Sequence, residues 1–385
     1  MKKTLWNHPH ANSAESSELA IKANTAVSLE DVDNMDDDDT SPDETFQNRF
    51  DPAKINIIVS QPTIYNLVQR MSVDPPEIDM NTSFQRHAEL WDNTRKSRLI
   101  ESLLLRIPLP TFYFDGSEEN HWLIVDGLQR LNAFKSFIID KDLKLINLEY
   151  FHEYNGCKFD DLPKNMIRRI EETQIIANII QPGTPDEVKF TIFKRINTGG
   201  FNLNSQEIRH AIYHGEVSNF IEGLSELASF KKFNINPKRM IDQELVTRFV
   251  AFYTLGESNY RPRMDDFLEK ALGELRYRDK NDINKIASGF DLAMKRAYDL
   301  FGNTAFKRKG GKINKALFDV WSVRLSKMSD SNFMRLLQNK YFREKYNNLL
   351  ANDKFISVVS QSTGHRESVS ERFLMIDNLI KECLI

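Results

Sequence analysis

The sequence predicts two joined architectures: a mixed α/β domain, then an all-helical domain. Three observations predict this. Strand-like apolar runs alternate with helical periodicities up to about residue 204 and fade beyond it. The length of 385 residues suits two domains of ~150 residues each, plus a tail. The charge is also uneven. Residues 1–50 hold eleven acids against four bases, a net of −7, whereas the remainder holds 44 acids and 48 bases, a net of +4. The expected organisation is an acidic disordered leader over 1–53, an α/β domain over 54–210 and a helical domain over 211–385.

The leader is rich in Ser, Asn, Asp and Glu. Its run Asp36 to Asp39 repels itself, so the segment cannot bury enough apolar surface to fold. From Ile55 the pattern changes. Ile55 to Val59 reads as a strand, and Pro62 opens a helix carrying Tyr65, Leu67, Val68 and Met71. Asn93 is placed to cap a helix with Leu99, Ile100, Leu103 and Leu104 on one face, ended by Pro108. Thr111 to Phe114 is a strand, Asp115-Gly116 a turn, and His121 to Val125 the return strand. A helix follows over 128–139, with strand candidates at 144–150 and 174–180 and a helix from Pro185 to about Arg195.

Further helices are expected at 204–214, 240–255, 264–277, 281–301, 313–328, 330–350 and 368–383. Asn204-Ser205-Gln206-Glu207 and Ser368-Val369-Ser370-Glu371 resemble capping boxes.

Composition removes several functional classes. Two cysteines, Cys157 and Cys383, leave no disulfide framework and no cysteine-based zinc site, and they suit a reducing cytoplasm. No signal peptide follows Lys2-Lys3, and no apolar run is long enough for a membrane span. No Gly-x-x-x-x-Gly-Lys-Ser/Thr loop or Gly-x-Ser-x-Gly elbow is present.

The most informative segment is Leu123 to Leu131. It is an apolar strand, an Asp126-Gly127 turn, then a helix start bearing Gln129 and Arg130. Gly127 permits close backbone approach, and an arginine at a helix start can fork onto phosphate oxygens. The same pattern also suits a plain strand–helix turn with a surface arginine. Arg195 and Asn197, before Gly199-Gly200, offer a phosphate donor and an amide for phosphate or Mg²⁺. Gln85-Arg86 lies beside Phe84 and Trp91 in a loop. The cations Lys307, Arg308, Lys309 and Lys312 suit a phosphate backbone, or a solvated loop.

Six motifs recur in order: Phe84 to Arg86, Leu90 to Asp92, Arg98 to Ser102, Ile107 to Pro110, Asp126 to Arg130, and Arg195 to Asn204. Together they resemble the Asp-Gly-Gln-Gln-Arg domain at the amino-terminal end of GmrSD-type modification-dependent restriction enzymes, over roughly residues 55–215. The resemblance implies a ParB/sulfiredoxin-like fold that binds a nucleoside triphosphate, often with Mg²⁺. It implies phosphate contacts from Gly127, Arg130, Gln85, Arg86, Arg195 and Asn197, catalytic roles for Asp126 and Gln129, and a metal-holding role for Asn197. In that lineage nucleotide turnover is coupled to DNA handling, commonly in defence against phage. Leu128 departs from the signature by replacing its first Gln. A leucine cannot orient water, so weak hydrolysis at most is expected. The carboxyl-terminal half lacks the His…Asn/His pattern of an HNH nuclease, with His365 the sole histidine after His214. The sequence therefore points to a nucleotide-gated switch in DNA surveillance. The rival reading is a non-catalytic adaptor that binds a protein partner, or a second copy, through its helical half.

Overall fold

A computed structural model describes residues 54–80, 91–118, 120–196, 203–308 and 311–384. The expected leader lies outside the described residues. Five strands form one sheet: β1 (Ile57–Ser60), β2 (Ile78–Asp79), β3 (Phe112–Glu118), β4 (His121–Asp126) and β5 (Ala177–Ile180). Their order is β1-β5-β3-β4-β2. β3 runs antiparallel to β4 and parallel to β5, and the edges β1 and β2 pair antiparallel to β5 and parallel to β4. The helices of this part are α1 (Ile64–Ser72), α2 (Asn93–Leu104), α3 (Leu128–Phe134) and α4 (Lys164–Glu171). α3 passes directly into a π-helical turn, Lys135–Ile139.

Beyond the sheet everything is helical: α5 (Asp186–Ile196), α6 (Ser205–Ile212), α7 (Glu216–Ser225), α8 (Ala228–Lys231), α9 (Ile241–Leu255), α10 (Met264–Leu275), α11 (Lys280–Phe301), α12 (Lys315–Lys327), α13 (Asp330–Gln338), α14 (Phe342–Leu350), α15 (Asp353–Ser360) and α16 (Arg366–Leu384). None of the described helices is long and apolar enough to cross a membrane.

The sheet separates two apolar cores. Phe112, Phe114, Ile124 and Ile179 join α1, α2 and α3 in the smaller core. Their neighbours Tyr113, Val125 and Ile180 face the larger core, with Phe190 of α5, Ile208 of α6 and the later helices. Alternate strand residues point to opposite faces, so a strand covered on both sides reads as an unbroken apolar run. Leu123-Ile124-Val125 is such a run. By packing, α5 and α6 stand with the helical part, so the two cores divide near residue 180.

Four local expectations differ from the fold. Residues 144–150 form no strand, because their amides are taken by side chains. Glu101 Oε1 accepts from the N–H of Tyr150 and Phe151 at 2.7 and 3.1 Å, and its Oε2 accepts from Glu149 N–H at 3.0 Å. Ser97 Oγ accepts from Ile146 N–H and Asn155 Oδ1 from Leu148 N–H. The segment is thereby pinned to α2 while Leu145 and Leu148 fill the core. The expected helix over 330–350 is two helices. Asn339 interrupts it by donating to Cys383 O and accepting from Tyr341 N–H. Ser368 lies inside α16 and caps nothing, whereas the box Asn204/Glu207 is formed at both ends. β3 also continues through Asp115-Gly116, where a turn was expected.

Candidate functional site

The strand–turn–helix at 123–131 is built as its residues dictate. β4 ends at Asp126, Gly127 takes φ 110° and ψ 7°, and Leu128 starts α3. A side chain on Gly127 would overlap the Phe112 ring beneath it, so both the conformation and the close approach require glycine. Gly127, as N-cap, offers no side chain to the first amides of α3.

Arg130 is not the surface arginine of the plain-turn reading. Its side chain is buried beneath the turn. Nη1 donates to Pro110 O, and Nη2 donates to Thr111 O at 3.2 Å and to Asp126 Oδ2 at 3.0 Å. The guanidinium stacks on Phe112 with its carbon 4.2 Å from the ring centroid. Three acceptors and a ring thus tie the turn to the entry of β3. Burial lowers the Arg130 pKa, with Asp126 opposing the shift. Burial likewise pushes the Asp126 carboxyl up, against the pull of Arg130 and a hydrogen bond from the Gly127 amide. Asp126 remains about one-third exposed, at 34 % for its side chain.

Gln129 Oε1 accepts from Trp91 N–H at 3.0 Å. Trp91, just before α2, is therefore held against the turn. Gln85 and Arg86 lie outside the described residues, as do Asn197 and Lys309. Leu128 packs against the smaller core, so the position of the family's first Gln is partly turned inward. Arg195 is exposed on the last turn of α5. No hydrogen bond or ion pair among the described residues joins it to the 126–130 turn.

The basic loop is more ordered than the solvated-loop reading. Lys307 pairs with Ile313 in a short antiparallel bridge, Phe306 and Ile313 are buried, and Arg308 donates to Ser360 Oγ on α15. Lys312 is exposed.

The sequence did not reveal two features. One is a buried polar patch between α6 and α9: Gln206, Arg209, His210, Tyr213 and Gln243 line a cavity of about 10 Å³, room for a single water at most. The other is a group that could hold a metal ion: Glu118, His121 and His214, whose ligand atoms all lie within 4.8 Å of one another. Its members span 96 residues, from Glu118 to His214, so no spacing could flag it.

Residues 65–214 match the family model of the GmrSD restriction endonuclease, N-terminal domain. No curated protein and no solved structure matches the chain significantly. The matched segment covers every described sheet residue except β1 and ends at His214, just past α6. In that segment, which carries the Asp126–Arg130 turn, the protein resembles the N-terminal domain of the GmrSD restriction endonuclease.

Proposed function

We propose that the α/β part binds a nucleoside triphosphate with Mg²⁺ at the Asp126–Arg130 turn, as a nucleotide-gated switch in DNA surveillance or defence against phage. The observation that carries this reading is the family match over residues 65–214. The local geometry supports it. A glycine turn leaves amides at the start of α3 without a side-chain cap, and Trp91 is held to the turn by Gln129. In this reading Arg130 is a positioning residue that fixes the turn. The phosphates meet the turn amides, Gln85, Arg86 and Arg195, and Asn197 serves the metal. Asp126 and Gln129 flank the reacting end.

Hydrolysis should be slow, because Leu128 packs inward and offers no group to a water. Leu128→Gln should raise turnover, and rapid hydrolysis by the unmodified protein would show that other residues orient the water. The reading itself is tested by equilibrium binding of labelled ATP, GTP, CTP and UTP to the full chain with Mg²⁺. Saturable binding of at least one is expected.

One observation favours the adaptor reading instead. Arg130 and Asp126 hold each other, and Gln129 holds Trp91, so the turn spends these polar groups on the fold. If no triphosphate binds, the turn is structural and the helical half carries the function through a protein partner.

A further inference from the structure

The β3–β4 hairpin tip and the end of α6 meet at a seam between the sheet and the helical part. Glu118 and His121 are paired across the tip, at the last residue of β3 and the first of β4. His214 follows the C-cap residue Tyr213 of α6. His214 Nε2 lies 3.1 Å from Glu118 Oε1, and His121 Nδ1 lies 3.6 Å from Glu118 Oε2. The two imidazole rings are 6.1 Å apart between centroids.

These separations suit a cation. Two ligand atoms each ~2.0–2.2 Å from a tetrahedral Zn²⁺ lie about 3.3–3.6 Å from each other. The orientation of His214 points the same way. Its Nδ1 is 3.3 Å from Ala211 O, a carbonyl that can only accept, so Nδ1 carries the proton. In the neutral ring Nε2 then presents a lone pair to the Glu118 carboxylate. Two acceptors facing each other at 3.1 Å need a positive charge between them, either a proton or a metal. A backbone carbonyl that fixes the far nitrogen of a histidine is also the usual support behind a metal-binding imidazole. All three side chains are part-exposed, between 34 % and 59 %, so an ion can enter from solvent.

We propose that Glu118, His121 and His214 bind a divalent transition metal of the Zn²⁺ class. Two nitrogens and one carboxylate oxygen favour Zn²⁺, Co²⁺ or Ni²⁺ over Mg²⁺ or Ca²⁺, which prefer all-oxygen shells. Three protein ligands leave one coordination position for water. The ion joins two chain segments far apart in sequence, so it staples the hairpin to α6 and stabilises the seam between the two cores. This site is distinct from the Asp126–Arg130 turn at the opposite end of β4, and its test does not depend on nucleotide binding.

The test uses the full-length protein stripped with chelator and titrated with Co²⁺ and Zn²⁺. The parent is compared with the double variant His121→Gln/His214→Gln. The other six of the eight histidines are common to both proteins, so the difference isolates this site. The parent should bind one more equivalent than the double variant and develop the visible bands of low-symmetry Co²⁺. Zn²⁺ should raise the Tm of the parent and leave that of the double variant unmoved. Glu118→Gln alone should weaken Zn²⁺ more than about tenfold, since loss of mere supporting partners already costs that much. Equal stoichiometry in parent and double variant, or no metal-dependent rise in the parent's Tm, would overturn the proposal and leave a protonated His214–Glu118 pair.

Discussion

In the α/β part the buried charged groups mostly answer backbone atoms, while in the helical part the central ones answer one another, with Arg296 and Arg372 also donating to the carbonyls of Leu325, Met328 and Thr363. Glu101 gathers three amides of the 149–151 segment, and Arg130 donates to the carbonyls of Pro110 and Thr111. In the helical part Asp319 of α12 accepts from two arginines. Arg248 of α9 binds it through Nε and Nη2, both at 2.8 Å, and Arg372 of α16 binds it through Nη2 at 3.0 Å. All three side chains are fully buried, at 0 % exposure. Arg324 joins Asp377 and Glu257 in the same manner nearer the surface. The difference follows from the backbone. Helices satisfy their own amides along their length, so where three of them meet mid-helix it is side chains that fix the meeting, and backbone carbonyls serve only at helix ends. Loops that close a small sheet leave amides and carbonyls that buried charges must satisfy. At the seam Lys189 of α5 pairs with Asp115 of β3 at 3.0 Å, joining the two designs.

This contrast can be broken most severely at Asp319. Asp319→Ala leaves two buried guanidinium groups without their carboxylate, and breaking such a pair costs about 3–5 kcal/mol. Urea unfolding should show this loss. A cost below about 1 kcal/mol would mean that the helices are fixed by apolar packing alone.

Arg130→Ala is the matching test in the α/β part. It strands two carbonyls and the Asp126 carboxylate, and charged hydrogen bonds of this kind contribute about 1.5–3 kcal/mol. The expected loss is of that size, read by the same unfolding experiment. Arg130→Ala with undiminished stability would show that the turn is held by Gly127 and Phe112 without the guanidinium.

A third test uses pH. Glu269 of α10 is buried, at 3 % exposure, and burial pushes its carboxyl up to about 9. An unfolded glutamate titrates at about 4.3. Between these values the folded state holds a proton that the unfolded state has released. The contribution is thus fully present below the unfolded pKa and is lost as pH rises through the folded one. Glu269→Gln keeps the neutral amide shape and removes that loss. It should stabilise the protein by more than about 1 kcal/mol at pH 8 and by little at pH 4. Equal effects at the two pH values would mean that Glu269 stays ionised in the fold.

The smallest expected effect concerns the leader. If the body binds nucleic acid, a −7 segment tethered to a body of +4 would compete with the phosphates. Deleting residues 1–50 should strengthen DNA or RNA binding at low salt, and the gain should fade as salt rises. If affinity is unchanged, the acidic run does not reach the basic surface.

Much of the fold was legible because its signals are local. The Asn204 capping box, the periodicity of α9 to α12 and the paired strands β3 and β4 all lie within a few turns of chain. The 144–150 segment misled because Leu145 and Leu148 look like strand residues, while the acceptor of its amides, Glu101, is supplied by a helix some fifty residues earlier. α7, α8 and α15 gave weak patterns because they are short and partly exposed. The glycine turn of the candidate site was legible as Asp126-Gly127 before a helical pattern. The burial of Arg130 was not, since nothing in sequence says that Pro110 and Thr111 pass beneath it. The Glu118–His121–His214 group was hidden for the same reason: tertiary packing alone brings α6 to the hairpin tip.

The proposed triphosphate site is the turn that begins α3. Its most direct test is calorimetric titration of the full-length protein with ATP, GTP, CTP and UTP, with and without Mg²⁺, alongside Arg195→Ala. Arg195 is exposed at the end of α5, so its removal should leave the fold intact. A triphosphate site predicts saturable binding of at least one nucleotide by the parent, strengthened by Mg²⁺. It predicts a roughly ten- to hundredfold loss in Arg195→Ala, the worth of one charge-assisted phosphate contact. Absence of binding heat with every triphosphate would contradict it.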